Sequence, residues 1–206
     1  KDFRKRMIEI NVFPKTFFGL EVPEEINERV LGVVKKLNYS YDDAPHPLST
    51  NTDIHKLPEL SFYVDYLNKN LEEIKQNQNW VCDKISICSM WANNTTYGRS
   101  NSRHNHPMSW WSFIHYLTEG APTHFFDHHT ENPWMYMGES NPTTATFHPG
   151  VSLPVGSILF FPSWVPHQVD PNRDHISRYT IAGNTFPEGD IDPLGGRSHL
   201  KVKLCT

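Results

Sequence analysis

Apolar and polar positions along this chain fall into short, separate patterns. Between Met7 and Val22 the apolar residues Ile8, Ile10, Val12, Phe17, Phe18 and Leu20 predict one or two short strands around Pro14. Pro23-Glu24-Glu25 then opens a helix, because Pro fits the first turn and acids favour the positive end of the helix dipole. Ile26, Val30, Val33, Val34 and Leu37 keep helical spacing to about Asn38. Residues 39–56 are polar, contain Pro45 and Pro47, and read as a plain connecting loop. Leu60, Tyr63, Leu67 and Leu71 predict a second, amphipathic helix from about Leu57 to Gln76.

From Trp80 onward the pattern turns to strands. Val81, Ile85, Ile87 and Met90 against Asp83, Lys84 and Ser86 predict a strand over Trp80–Trp91, and residues 93–102 read as a turn. Trp110–Leu117 is strand-like, residues 118–122 form a turn, and Thr123–Asp127 is a return strand. A long loop (128–144) and a short strand (Ala145–Val151) follow. Gly156–Phe161 and Arg178–Ala182 then flank a polar turn (Asp170–His175) as a hairpin-like pair. Two helices followed only by short strands argue against a parallel βαβ sheet. They fit a mainly β fold with flanking helices, an antiparallel barrel or jelly roll. One domain accounts for the length: strand-helix support over 1–79, a β core over about 80–187, and a tail over 188–206.

Composition removes several classes of function. The net charge of −4 and the lack of a long Lys/Arg run argue against a nucleic-acid partner. The basic start, Lys1 to Arg6, is short and reads as a solvated end. No apolar run reaches the ~20 residues of a membrane helix, and no secretory signal is visible. Cys82, Cys88 and Cys205 form no CxxC pair, which points to a reducing cytosol. Oligomeric state is not legible; a homodimer is a weak guess.

Histidine is the outlier, with 12 copies concentrated after residue 100. In Arg103-His104-Asn105-His106-Pro107 the two imidazoles sit at i and i+2, so on an extended segment both face one way. His167 can add a third ligand from a distant strand. Such a site keeps coordination positions open, as non-haem iron oxygenases require. Arg178, eleven residues after His167, can sit deeper in the same barrel and grip a carboxylate with both arms of its guanidinium. Thr180 faces the same side two residues on. A metal backed by an inward Arg-x-Thr implies a small dicarboxylate bound between them. Each residue also has a plainer reading, as a hydrogen-bonded core histidine or a structural ion-pair former. His128 and His129 read as loop residues, and His115, His124, His148 and His175 as packing or surface. Trp110, Trp111, Tyr116 and Trp164 read as core or pocket wall.

The segments from Asn101 to Leu117 and from Gly156 to Phe186 resemble the 2-oxoglutarate/Fe(II) dioxygenase superfamily. They are most similar to a group of small oxygenases common in marine bacteria and cyanophages, with His-x-His-Pro-x-Ser…Tyr-Tyr-Leu and Phe-Pro-Ser-Trp-x-x-His patterns. The resemblance covers roughly residues 80–187. It implies a double-stranded β-helix, Fe(II), O₂, and 2-oxoglutarate held by Arg178, with Thr180, Tyr116 and Asn184 as further cosubstrate-binding candidates. The superfamily usually carries His-x-Asp, and here His106 takes the place of the acid. Three readings remain open: a three-His site of His104, His106 and His167; one of the near pair with Asp127 completing the set; or water in the vacant place. The first is preferred. An expected substrate is a small molecule or a peptide, with prolyl or other amino-acid hydroxylation the leaning hypothesis. A cupin-like three-His enzyme that does not use 2-oxoglutarate, or a non-catalytic binding module, is the alternative.

Overall fold

The computed structural model describes residues 16–41, 48–126, 153–191 and 199–204. In chain order these form β1 (Phe18–Glu21), α1 (Glu24–Val34), β2 (Tyr39–Ser40), β3 (Leu48–Ser49), α2 (Ser61–Asn77), β4 (Lys84–Thr95), β5 (Asn101–His104), β6 (Trp111–Tyr116), β7 (Thr123–Phe125), β8 (Ser157–Pro162), β9 (His167–Val169), β10 (Arg178–Ile191) and β11 (Leu200–Val202). Pro23 precedes α1, with Glu24 and Glu25 in its first turn. The helix closes at Val34, short of Asn38. Two 3₁₀ turns, Ile54–Lys56 and Pro58–Leu60, lead into α2. Pro58 and its tight turn delay the α-helix from Leu57 to Ser61.

The strands make two sheets. The larger runs β1-β8-β6-β10-β4-β3-β2, with β11 added on the far end of β10; the smaller runs β5-β9-β7. β6 and β8 are buried along their whole lengths, and their alternating side chains split between two apolar clusters. Trp111, Phe113, Ile158 and Phe160 pack with Val30, Tyr63, Leu67 and Leu71 of the helices. Ile114, Tyr116, Leu159 and Phe161 pack with Phe125 of the smaller sheet. Each such side chain contributes roughly 1.5–3 kcal/mol when fully buried, so both faces of the larger sheet are covered and its geometry is stiff. The space between the two sheets is where function can sit.

Several sequence expectations are corrected. β8 and β10 are not a hairpin: β6 lies between them and pairs with both. The segment joining them crosses to the other sheet as β9. Likewise β7 does not return along β6 but pairs with β9, with Phe125 opposite His167. Period-two patterning marks a strand but not its partner, and in this fold successive strands alternate between sheets. Residues 39–56 are more than a connector, because β3 joins the larger sheet at Leu48–Asn93. β4 runs on to Thr95, through residues that read as a turn. β10 continues to Ile191 and pairs with β11, so part of the expected tail is sheet. Residues 7–15, the whole 128–144 loop and the Ala145–Val151 strand lie outside the described residues.

Candidate active site

β5 and β9 run antiparallel with His104 directly opposite His167. The pairing is irregular between Asn101 and His104, and such a break in register re-aims side chains. The chain leaves the sheet after His104, and the backbone N–H of His106 donates to the carbonyl of Ser163 at 2.9 Å. That contact brings His106 back towards β9. The nitrogens of His104, His106 and His167 consequently lie within 4.8 Å of one another. His106 Nε2 is 3.2 Å from His167 Nε2.

The tautomers follow from the outer hydrogen bonds. His104 Nδ1 donates to the Ser102 carbonyl at 2.6 Å, and His167 Nδ1 to the Val165 carbonyl at 3.1 Å. A carbonyl cannot donate, so both Nδ1 atoms carry hydrogen and both Nε2 atoms present lone pairs. Burial, reinforced by neighbouring His104, lowers the His106 pKa to about 4. Burial, then His104 and His106, lower that of His167 to about 3. Both rings are therefore neutral at pH 7, the state a metal ligand needs. Three convergent imidazoles could hold a divalent transition metal such as iron. Among the described residues no carboxylate joins them. Asp127 lies outside those residues.

Arg178 opens β10 and is only 3% exposed. Its Nη2 is buried without a hydrogen-bond partner among the described residues. Burial pushes its pKa down, with Tyr116 opposing, so the pocket penalises the bare cation. Its Cζ lies 5.5 Å from the centroid of the Tyr116 ring. Arg178, Thr180 and the three imidazoles share the wall of one cavity of about 240 Å³, completed by Leu48, Trp91, Asn93, Ile114 and others. A buried guanidinium with Nη2 unpaired among the described residues, sharing a small cavity with three metal-type nitrogens, fits a dicarboxylate that chelates at one end and is gripped at the other.

The remaining candidates divide. Thr180 lines the cavity, its Oγ1 accepting from Asn93 Nδ2 at 3.1 Å. Tyr116 sits behind Arg178 and donates to Thr123 Oγ1 at 3.1 Å. Asn184 does not line the cavity; it bonds to Ser112 and Ser89. His115 packs on Tyr63 of α2, His124 meets Asp170 at 2.7 Å, and His175 stacks on Tyr97. Trp111 is core, but Trp110 and Trp164 are about half exposed, neither core nor cavity wall. His128, His129 and His148 lie outside the described residues. Sequence reading missed Leu48, Trp91, Asn93, Asn101 and Thr123 as walls. The i, i+2 relation of Trp91 and Asn93 was the available signal, obscured by ending that strand at Trp91.

Residues 89–184 match the family model described as "Putative 2OG-Fe(II) oxygenase". This segment, just under half of the chain, is similar to the 2-oxoglutarate/Fe(II) oxygenases. The chain is similar in fold to a Pseudomonas putida prolyl-4-hydroxylase (TM-score 0.61, 14% identity, 85% of this chain and 94% of that one). It is also similar to HygX from Streptomyces hygroscopicus, solved with nickel, 2-oxoglutarate and hygromycin B (TM-score 0.62, 10% identity, 84% and 83%). A third is the non-haem α-ketoglutarate-dependent epimerase SnoN from nogalamycin biosynthesis (TM-score 0.65, 7% identity, 89% and 81%). At these identities the likeness establishes the fold, a double-stranded β-helix. No curated protein matches the sequence. Iron and 2-oxoglutarate are the cofactors of that oxygenase family, and the three imidazoles and Arg178, its Nη2 unpaired among the described residues, fit them. Among the described residues no helix is long and apolar enough to cross a membrane.

Proposed function

We propose that this oxygenase hydroxylates a small molecule or an amino-acid side chain, with a prolyl or other amino-acid group as the leading substrate class. The observation that carries the reading is the buried Arg178, its Nη2 without a partner among the described residues, in the same cavity as the three imidazoles. His104, His106 and His167 would hold the iron, and Arg178 and Thr180 the far carboxylate of 2-oxoglutarate. Iron with 2-oxoglutarate and O₂ supplies the oxidising power, the cosubstrate leaving as succinate and CO₂. The chain's own part is to hold neutral imidazole donors in place, orient the cosubstrate and keep the cavity dry. Tyr116, packed behind the guanidinium, fixes where Arg178 points. Arg178 supports this reading over a cupin-like enzyme without 2-oxoglutarate, which has no use for a buried cation beside its metal. The prolyl-4-hydroxylase among the structural neighbours supports the leaning towards amino-acid substrates. The test is succinate formation from 2-oxoglutarate by the iron-loaded protein, with free amino acids and proline-containing peptides as candidate substrates. Acceleration by one of them is expected. No acceleration by any peptide or amino acid, with basal turnover intact, sinks the substrate class.

A further inference from the structure

A chain of three hydroxyls and one amide ends on the turn that leads into His167 and whose Ser163 carbonyl holds His106. Ser163, fully buried between β8 and β9, is held at three atoms. Its carbonyl accepts from His106 N–H at 2.9 Å, and its own N–H donates to the Trp110 carbonyl at 3.2 Å. Its hydroxyl lies 2.8 Å from Ser112 Oγ. Ser112 donates its only hydroxyl hydrogen to Asn184 Oδ1 at 2.8 Å, and Asn184 Nδ2 donates to Ser89 Oγ at 3.2 Å. Ser112 must therefore accept from Ser163, which fixes the direction of the relay: Ser163 to Ser112 to Asn184 to Ser89. Ser112 and Ser89 are the register partners of Asn184 on β6 and β4, so the relay crosses three adjacent strands. It lies where β10 shifts register, between Asn184 and Thr185.

We infer that this relay positions the metal site. None of its four residues lines the cavity. Ser163 instead ties the larger sheet to His106 through its carbonyl, and it precedes His167 by four residues on the same turn. The inference rests on the reading of the three imidazoles as metal ligands. Loss of a hydrogen bond that orients a ligand typically weakens metal binding about 10- to 100-fold. Asn184 is thereby a positioning residue for the metal rather than a contact of the cosubstrate.

The test is anaerobic calorimetric titration of the metal-free full chain with Co(II), alongside its thermal unfolding. Ser163→Ala, Asn184→Ala and their double variant are compared with Thr185→Val. Thr185 is also fully buried, and its hydroxyl donates to the Trp111 carbonyl at 2.9 Å, outside the relay. Ser163→Ala and Asn184→Ala are expected to weaken Co(II) binding about tenfold or more. The double variant should be little worse than the weaker single one, because both break one relay. Thr185→Val should lose thermal stability and keep its Co(II) affinity. If Ser163→Ala fails to fold, Asn184→Ala, two links away, carries the comparison. Unchanged Co(II) affinity in a folded relay variant, or an equal loss in Thr185→Val, overturns the inference. Failure of the unaltered protein to bind Co(II) would instead sink the three-imidazole metal reading, and the relay's role with it.

Discussion

Gly120 lies against the stem of Arg178: a Cβ at Gly120 would come within 2.7 Å of Arg178 Cδ and 2.9 Å of its Cβ and Cγ. Gly120 also has φ +148°, a conformation that L side chains rarely adopt. The turn between β6 and β7 thus holds the guanidinium in the cavity by close approach. Gly120→Ala should push the guanidinium aside and weaken 2-oxoglutarate binding roughly tenfold, about 1.4 kcal/mol. Metal affinity should not change. Calorimetry of the metal-loaded variant with 2-oxoglutarate checks this; loss of metal affinity alongside would mean that the turn supports the whole site.

Arg178 is a buried cation whose Nη2 has no hydrogen-bond partner among the described residues, so its removal should not weaken the cosubstrate-free fold. Replacing buried charges by apolar groups of similar volume is often neutral or stabilising. Arg178→Met is expected to unfold at the same temperature as the unaltered protein or higher, and to show no thermal shift with 2-oxoglutarate. Arg178→Lys should recover little of that shift, because an ammonium lacks the paired donors of a guanidinium. A large fall in melting temperature for Arg178→Met without ligand would make Arg178 a structural residue.

His115 gives the fold an acid sensitivity separate from the site. It is fully buried against α2, its Nδ1 3.0 Å from the Tyr63 hydroxyl, and burial lowers its pKa to about 3. Folding lowers this pKa, so below pH 6.5 the unfolded chain binds the extra proton and the folded chain does not. Stability is then present in full above pH 6.5 and declines as pH falls towards 3, by about 2 kcal/mol at pH 5 for this one group. His115→Phe should remove that part of the slope while costing about 1–3 kcal/mol at pH 7 through the orphaned Tyr63 hydroxyl. Denaturant unfolding at pH 7 and pH 5 measures both. An unchanged slope in His115→Phe contradicts the assignment.

The depressed pKa values of His106 and His167 set the acid limit of metal binding. Protons compete with a metal for neutral imidazole. With values of about 4 and about 3, competition at these two ligands should begin near pH 4 rather than at the pH 6.5 of a solvated histidine. Co(II) affinity measured from pH 7.5 down to 5 should change little on their account. A steep loss beginning near pH 6.5 would place these imidazoles in contact with water.

The local patterns were legible and the long-range pairings were not. The His104/His106 pair, the distant His167 and Arg178 were readable as residues, but His106 reaches the site by leaving β5 after His104 and bonding to Ser163 rather than by the period-two alternation of a strand. That β8 pairs with β6 rather than with β10, and β7 with β9, depends on which sheet each strand joins, and alternation within a strand carries no such information. The same gap made Thr123–Asp127 read as a return strand along β6, whereas Phe125 lies opposite His167 on β9. Asn93 was hidden because Asn-Asn-Thr-Thr resembles a turn, yet β4 carries it into the sheet beside Thr180. Asn184 reads as a cosubstrate-binding candidate, and its side chain is engaged by Ser112 and Ser89.

The most direct test adds Fe(II) and then 2-oxoglutarate to the protein without oxygen and records the visible spectrum, with Arg178→Ala alongside. Chelation of a metal held by His104, His106 and His167 should produce a metal-to-ligand charge-transfer band in the unaltered protein and a much weaker one in the variant. Iron bound with no band on adding 2-oxoglutarate would contradict the account, since it would separate the three imidazoles from the cosubstrate that Arg178 is placed to hold.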